Sequence, residues 1–285
     1  TYGILVWFRW STSLLYLSLV YMRMIRAPLI TSPWPLYSSI GTLSVVNNVV
    51  EYLWSSIVTN IALCLAYSIL RSYGWWRDLS REGGVGLIST FIQDSIKLGI
   101  ALFMLSEVLF FIAFFWIFFH RSLSCIACGC GSRWPYSGIE VIDPIALPIL
   151  NTAILIRRGC TATWAHAITG RGLYSGSRIG VMAYIWTLLL GLYFIALQAT
   201  EYIASLFSIR DRIYGSTFYI GTGFHGLHVI AGIIILRLIG CKRWSSSILY
   251  YSSSSIIGIR CSIWYWHLVD GVWLILFSCI YWWGL

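Results

Sequence analysis

Charge is scarce in this chain. Only 10% of its 285 residues are Asp, Glu, Lys or Arg, while 59% are hydrophobic. A soluble domain carries about 25% charged residues, so this chain has too little polar surface to cover itself in water. Histidine is scarce as well: His120, His166, His225, His228 and His267 are the five. A haem–copper centre with a second haem draws on roughly six His ligands, more than the chain holds. A basic domain is also missing. The net charge of +9 is scattered in short clusters between apolar runs, which argues against a nucleic-acid partner and for loops that report membrane orientation. No internal repeat of the transporter kind is visible. No small-residue cleavage site follows the first apolar run, so it does not read as a secretory signal.

What is present is a series of apolar runs long enough to cross a bilayer, for which roughly 20 residues suffice. The first, Tyr2 to Tyr21, is interrupted by Arg9. It either spans or lies in the interface with Arg9 snorkelling. Ser32-Pro33-Trp34-Pro35 then precedes a helix, since proline cannot donate a backbone hydrogen bond. The pattern predicts an all-α, polytopic transmembrane bundle with helices at about 36–54, 55–72, 87–119, 145–167, 179–200, 216–238 and 256–283. These lie within one domain, 31–285, behind an N-terminal hydrophobic extension, 1–30, that offers a candidate extra helix. The run at 36–54 is weakened by Asn47, Asn48 and Glu51, which must face protein, water or headgroups.

Charge supplies the orientation. With seven spans after Pro35, alternate connections carry twelve Lys and Arg on one side and four on the other; Arg9, Arg157 and Arg158 sit at or within apolar runs. That asymmetry assigns the Trp75–Gly83 connection to the side of synthesis and the C-terminus to the opposite side.

Few residues are equipped for chemistry. Glu107 stands in a run of Leu and Phe, where desolvation favours the neutral carboxyl. It is either hydrogen-bonded to a neighbouring helix or associated with lipid headgroups or a proton path. His225 and His228 lie at i, i+3 and share a helix face. They read as structural groups bonded inside the bundle, with a metal pair as the alternative. Asp270 and His267 read as an interhelical polar contact, without the nucleophile or Gly-rich loop that a catalytic dyad would need. Glu201 ends a span and Asp211 precedes the next; they read as a polar rim at the membrane surface, with Glu201 also a candidate buried, structural polar group. Cys125, Cys128 and Cys130 crowd one loop. A zinc site usually draws on a second ligand pair and none is obvious, so unpaired thiols are the reading, with a disulfide and a metal site as the alternatives.

The motifs, in their order, resemble one family. Ser106-Glu107-Val108-Leu109-Phe110-Phe111 with Phe118-Phe119-His120, Ser32 to Leu36, Trp75 to Asp78 with Arg81-Glu82, Thr163 to His166, Gln198 to Tyr202, Tyr214 to Phe218, Thr222 to Val229, and Trp264 to Asp270 all resemble stretches of cytochrome c oxidase subunit 3. The similarity runs from about residue 30 to the end. It implies a non-catalytic subunit in the mitochondrial inner membrane, with seven helices grouped two plus five around a V-shaped lipid cleft. It implies basic loops in the matrix and the C-terminus in the intermembrane space. The implied partners are subunits 1 and 2, accessory subunits, and phospholipids of the cardiolipin, phosphatidylethanolamine or phosphatidylglycerol class. Haem and copper would belong to partner subunits, with no cofactor in this chain beyond bound phospholipid. By motif, Trp76, Arg81, Glu82 and Lys242 would meet lipid headgroups and Glu107 would face the cleft. Lys242 replaces the family's usual Arg, which keeps the charge and loses the bidentate fork. The chain departs from the family pattern at Ala167 and Gly271, in its cysteine-rich loop and in its N-terminal extension. A proton-coupled transporter using Glu107 and Asp270, or a metal-dependent lipid enzyme using His225 and His228, is the competing function.

Overall fold

The computed structural model describes residues 32–55, 58–84, 90–127, 134–170, 178–245 and 253–283. The N-terminal extension, Cys128 and Cys130 lie outside the described residues, as do the side chains of Cys125 and Lys242. Among the described residues there are seven α-helices and no strand: α1 (Trp34–Ser55), α2 (Thr59–Gly84), α3 (Thr90–Ala127), α4 (Leu147–Gly170), α5 (Arg178–Ala204), α6 (Arg212–Ser245) and α7 (Ser253–Leu276). A π-helical turn, Phe277–Trp282, continues α7, and Trp283 N donates to Ser278 O across five residues. By length and composition, α3, α5, α6 and α7 with its π turn are apolar enough to cross a membrane.

The ends of the helices follow local chemistry. Trp34 N donates to Ser32 Oγ at 3.4 Å, and Tyr37 N to Pro33 O at 3.2 Å, so the Ser-Pro-Trp-Pro stretch opens α1 as the prolines require. Before α4, the Asp143 carboxylate accepts from Ile145 N at 2.9 Å. At the start of α6, Gly215 N donates to Asp211 O at 3.0 Å. A Cβ at Gly215 would overlap the Ser208 carbonyl, so only glycine fits this close approach. Inside the helices, hydroxyls return to their own backbone: Thr42 Oγ1 donates to Ser38 O, and Ser44 Oγ to Ile40 O, both at 2.9 Å. This is how Ser and Thr cross an apolar medium with their donors satisfied.

Two units divide the chain at Gln93 and Asp94. In the first, α1 packs on α2. Asn48, which weakened α1 as a span, donates to Ser44 O at 2.8 Å and to Cys64 Sγ at 3.2 Å. Arg71 lies over the rings of Tyr37 and Tyr67 at 4.6 and 4.7 Å. The α2 helix runs on through Trp75 to Glu82, the stretch that reads in sequence as a connection. Hydropathy marks where the chain leaves hydrocarbon, whereas the helix stops only where its backbone bonds do.

The second unit has an aromatic core. Phe118, Phe194, Phe218, Trp273 and Tyr281 are each at most 3% exposed, together with Leu276 and Ile280. Phe194 and Trp273 meet edge to face at 4.8 Å, the geometry favoured by the ring quadrupoles. Apolar side chains such as Leu98, Ile112 and Trp116 are exposed on α3, a helix apolar enough to cross a membrane.

Candidate functional site

Three polar clusters interrupt the second unit. The first joins α3 to α6. Glu107 Oε2 and His228 Nε2 are 2.7 Å apart. The other ring nitrogen of His228, Nδ1, is 2.7 Å from Phe224 O. A carbonyl can only accept, so Nδ1 carries a proton. The contact to Glu107 then holds one proton, either as a neutral carboxyl donating to Nε2 or as an imidazolium donating to carboxylate. Phe111 meets the His228 ring edge to face and Tyr265 stacks on it, which fixes its plane. His225 turns elsewhere: its Nε2 lies 3.2 Å from Val269 O, between Phe194 and Trp273. The two histidines share a helix and serve different partners.

The second cluster lies between α4 and α7. Arg158, wholly buried, donates from Nη2 to Asp270 Oδ1, and its guanidinium lies 4.3 Å from the Trp266 ring centroid. Asp270 Oδ2 is 4.0 Å from His267 Nδ1. His267 Nε2 is 3.3 Å from Thr163 Oγ1. Sequence reasoning paired Asp270 with His267 and missed Arg158. The available signal was a cation within an apolar run, which requires a counter-ion on a facing helix.

The third cluster surrounds Glu201. Tyr281 Oη donates to Glu201 Oε1 at 2.6 Å, Gln198 Nε2 reaches the same oxygen at 3.4 Å, and Asn151 Nδ2 reaches Gln198 Oε1 at 3.4 Å. Glu201 is 2% exposed. Of the two readings of Glu201, a buried polar group and a polar rim, the structure has the buried one, with Tyr281 of the π turn bonded to it. Sequence hydropathy carries no sign of that turn.

On α2, Trp76 and Arg81 are exposed and Glu82 is half-buried. Beside them, Asp78 accepts from Arg77 Nε at 2.8 Å and from Trp34 Nε1 at 3.0 Å. The Arg77 bond, and then the Trp34 bond, hold the Asp78 carboxyl below its ordinary range. No group of three or more metal-ligating side chains occurs among the described residues.

Long apolar helices, an aromatic core and isolated buried polar pairs define the class: a polytopic helical membrane protein. Residues 27–285 match the model of the family described as cytochrome c oxidase subunit III. The chain is 44% identical over 254 residues to cytochrome c oxidase subunit 3 of Anopheles gambiae, covering 89% of this chain and 94% of that protein. It is 43% identical over 255 residues to the Lumbricus terrestris protein of the same name and 42% identical over 255 residues to that of Ornithorhynchus anatinus, covering 89% of this chain and 95% of each relative. The chain belongs to the cytochrome c oxidase subunit III family.

Proposed function

We propose that this chain is a core subunit that stabilises subunit 1, binds phospholipid and supports proton uptake while the oxidase reduces O2 to water. Family membership makes it a subunit of cytochrome c oxidase, held with other subunits in the mitochondrial inner membrane. Electron transfer and oxygen chemistry fall to haem and copper in partner subunits, and this chain contributes structure, lipid contacts and protonatable groups.

The observation that carries the proton role is the 2.7 Å contact between Glu107 and His228. A single proton held between two groups of different type can be passed on without separating charge far, since either protonation arrangement keeps the hydrogen bond. The lipid role is assigned to Trp76, Arg81 and Glu82 in the first unit and, separately, to Glu107 and Lys242 in the second. An indole at headgroup level and cations beside it suit an anionic phospholipid. The same cationic clusters support basic loops in the matrix and a C-terminus in the intermembrane space.

The test is an oxidase assembled with Glu107→Gln. Haem and copper content should be unchanged, while proton uptake during turnover slows. Uptake equal to that of the unmodified enzyme would overturn the proton role. For lipid, native mass spectrometry of the complex carrying Arg81→Ala should show one anionic phospholipid fewer. Proton-coupled flux of a solute through the isolated chain in liposomes would instead favour a transporter.

A further inference from the structure

Glu201 is a buried titratable group with no part in the proton role of Glu107. It is 2% exposed, and Asn151, on the neighbouring helix α4, is 0% exposed. Gln198 connects them. Asn151 Nδ2 lies 3.4 Å from Gln198 Oε1, and Gln198 Nε2 lies 3.4 Å from Glu201 Oε1 and 3.3 Å from Tyr281 Oη. Two atoms of the cluster are left over. Glu201 Oε2 and Asn151 Oδ1 are buried and have no hydrogen-bond partner among the described residues.

Charge is the first thing to balance. A carboxylate accepts up to about four hydrogen bonds. Here one donor is close, Tyr281 Oη at 2.6 Å. No ion pair among the described residues includes Glu201. The titratable side chains that face it are phenols, Tyr202 on its own helix and Tyr281 on the π turn, and both are uncharged at ordinary pH. Asn151 and Gln198 are neutral amides. An anion in this setting has neither a counter-charge nor enough donors, a cost that binding one proton removes. A metal ion would also balance the charge, but Ca2+ or Mg2+ takes about six or more oxygens, and the unpartnered oxygens of the cluster are these two.

A proton settles the charge but not the bonds. Turning the Asn151 and Gln198 amides over exchanges their oxygens and nitrogens. In either orientation the Asn151 atom that faces away from Gln198 stays unserved, and so does Glu201 Oε2, because the close distances join only the inner atoms. The missing partner must therefore be small and able both to donate and to accept, as water is. We propose that Glu201 is held as a neutral carboxyl, a proton-binding site separate from Glu107, and that an internal water bonded to Glu201 Oε2 and to the Asn151 side chain completes the cluster. The water accepts from Oε2–H and donates to Asn151 Oδ1. This inference does not depend on the proton role of Glu107 or the lipid role of Arg81.

The test is infrared spectroscopy of the assembled oxidase at neutral pH, with assembly checked by the haem spectrum. Subtracting the spectrum of Glu201→Gln from that of the unmodified enzyme should leave the carbonyl band of a protonated carboxyl. That band should persist in Glu107→Gln, which separates it from the Glu107 signal. Tyr281→Phe removes the donor to Oε1 and should move the same band to higher frequency, so the assignment can be made even where Glu201→Gln fails to assemble. A carboxylate band in place of the carboxyl band, or a carboxyl band unmoved by Tyr281→Phe, would overturn the neutral acid. For the water, the difference between unmodified enzyme and Asn151→Leu should contain a water O–H band that shifts in heavy-oxygen water. A difference without such a band would overturn the water site.

Discussion

Glu107 and His228, 121 positions apart in sequence, hold one proton between Oε2 and Nε2 across 2.7 Å. The count follows from Phe224, whose carbonyl fixes the other ring proton on Nδ1. Replacing Glu107 with Gln keeps a donor for Nε2 and removes the group that can lose a proton. Assembly should survive, and an infrared carboxyl signal assigned to Glu107 should vanish. Glu107→Leu leaves Nε2 unserved and should cost about 1–3 kcal/mol, read as a lower melting temperature in detergent. Equal melting of the Gln and Leu variants would show that the bond contributes nothing.

The sequence made some of this legible and hid the rest for physical reasons. Glu107, His228 and Asp270 stand out because polar groups are rare in hydrocarbon and require partners. Their pairing is another matter. Arg158 and Asp270 are 112 residues apart, and no local periodicity connects α4 to α7. The seven apolar segments are visible, yet α2 continues as helix through the polar Trp75–Glu82 stretch, because leaving the membrane does not break backbone bonds. The partner of Glu201 was hidden because Tyr281, which donates to it, lies on the π turn at Phe277–Trp282, of which hydropathy gives no sign.

The Arg158–Asp270 pair should respond asymmetrically to mutation. Removing one partner leaves a buried charge alone, at a cost of about 3–5 kcal/mol. Arg158→Leu and Asp270→Leu should each lower the melting temperature severely. The double replacement should recover most of the loss, because two apolar side chains need no compensation. A double variant as unstable as the singles would refute this account.

Asp78 gives a pH dependence with a defined sign. Its folded carboxyl titrates below its ordinary value because Arg77 and Trp34 donate to it. The unfolded chain therefore binds a proton first as pH falls, so the stabilisation is complete above the ordinary carboxylate value near 3.8 and is lost below it. The group is half-buried, with its Arg77 partner exposed, so solvent screening keeps the effect small. The difference in melting temperature between the unmodified chain and Asp78→Asn should be present at neutral pH and shrink below that value. A difference independent of pH would exclude the carboxylate as its source.

Gly232 should not tolerate a methyl group. A Cβ there would overlap the Trp266 ring, which is fully buried and stacked on Arg158. A buried indole cannot swing aside as a flexible side chain can, so Gly232→Ala should cost about 1–3 kcal/mol despite its better helix propensity. Gly223→Ala, on the same helix with nothing within 4 Å of its added Cβ, is the control and should be neutral or stabilising. Equal melting of the two variants would contradict the packing argument.

Tyr281→Phe examines the buried setting of Glu201. The tyrosine hydroxyl supplies the 2.6 Å bond to Oε1. Without it, that oxygen keeps only the 3.4 Å contact from Gln198, and Oε2 already has no partner in the chain. Loss of a buried donor should cost about 1–3 kcal/mol, whereas a carboxylate on a wet rim would give a change within about 0.5 kcal/mol. Glu201→Leu, which removes the acceptor, in the same background distinguishes a direct bond from altered packing. If the hydroxyl acts through Glu201, the two losses are strongly non-additive and the double variant is little worse than either single. If they add, Tyr281 stabilises the π turn independently of Glu201.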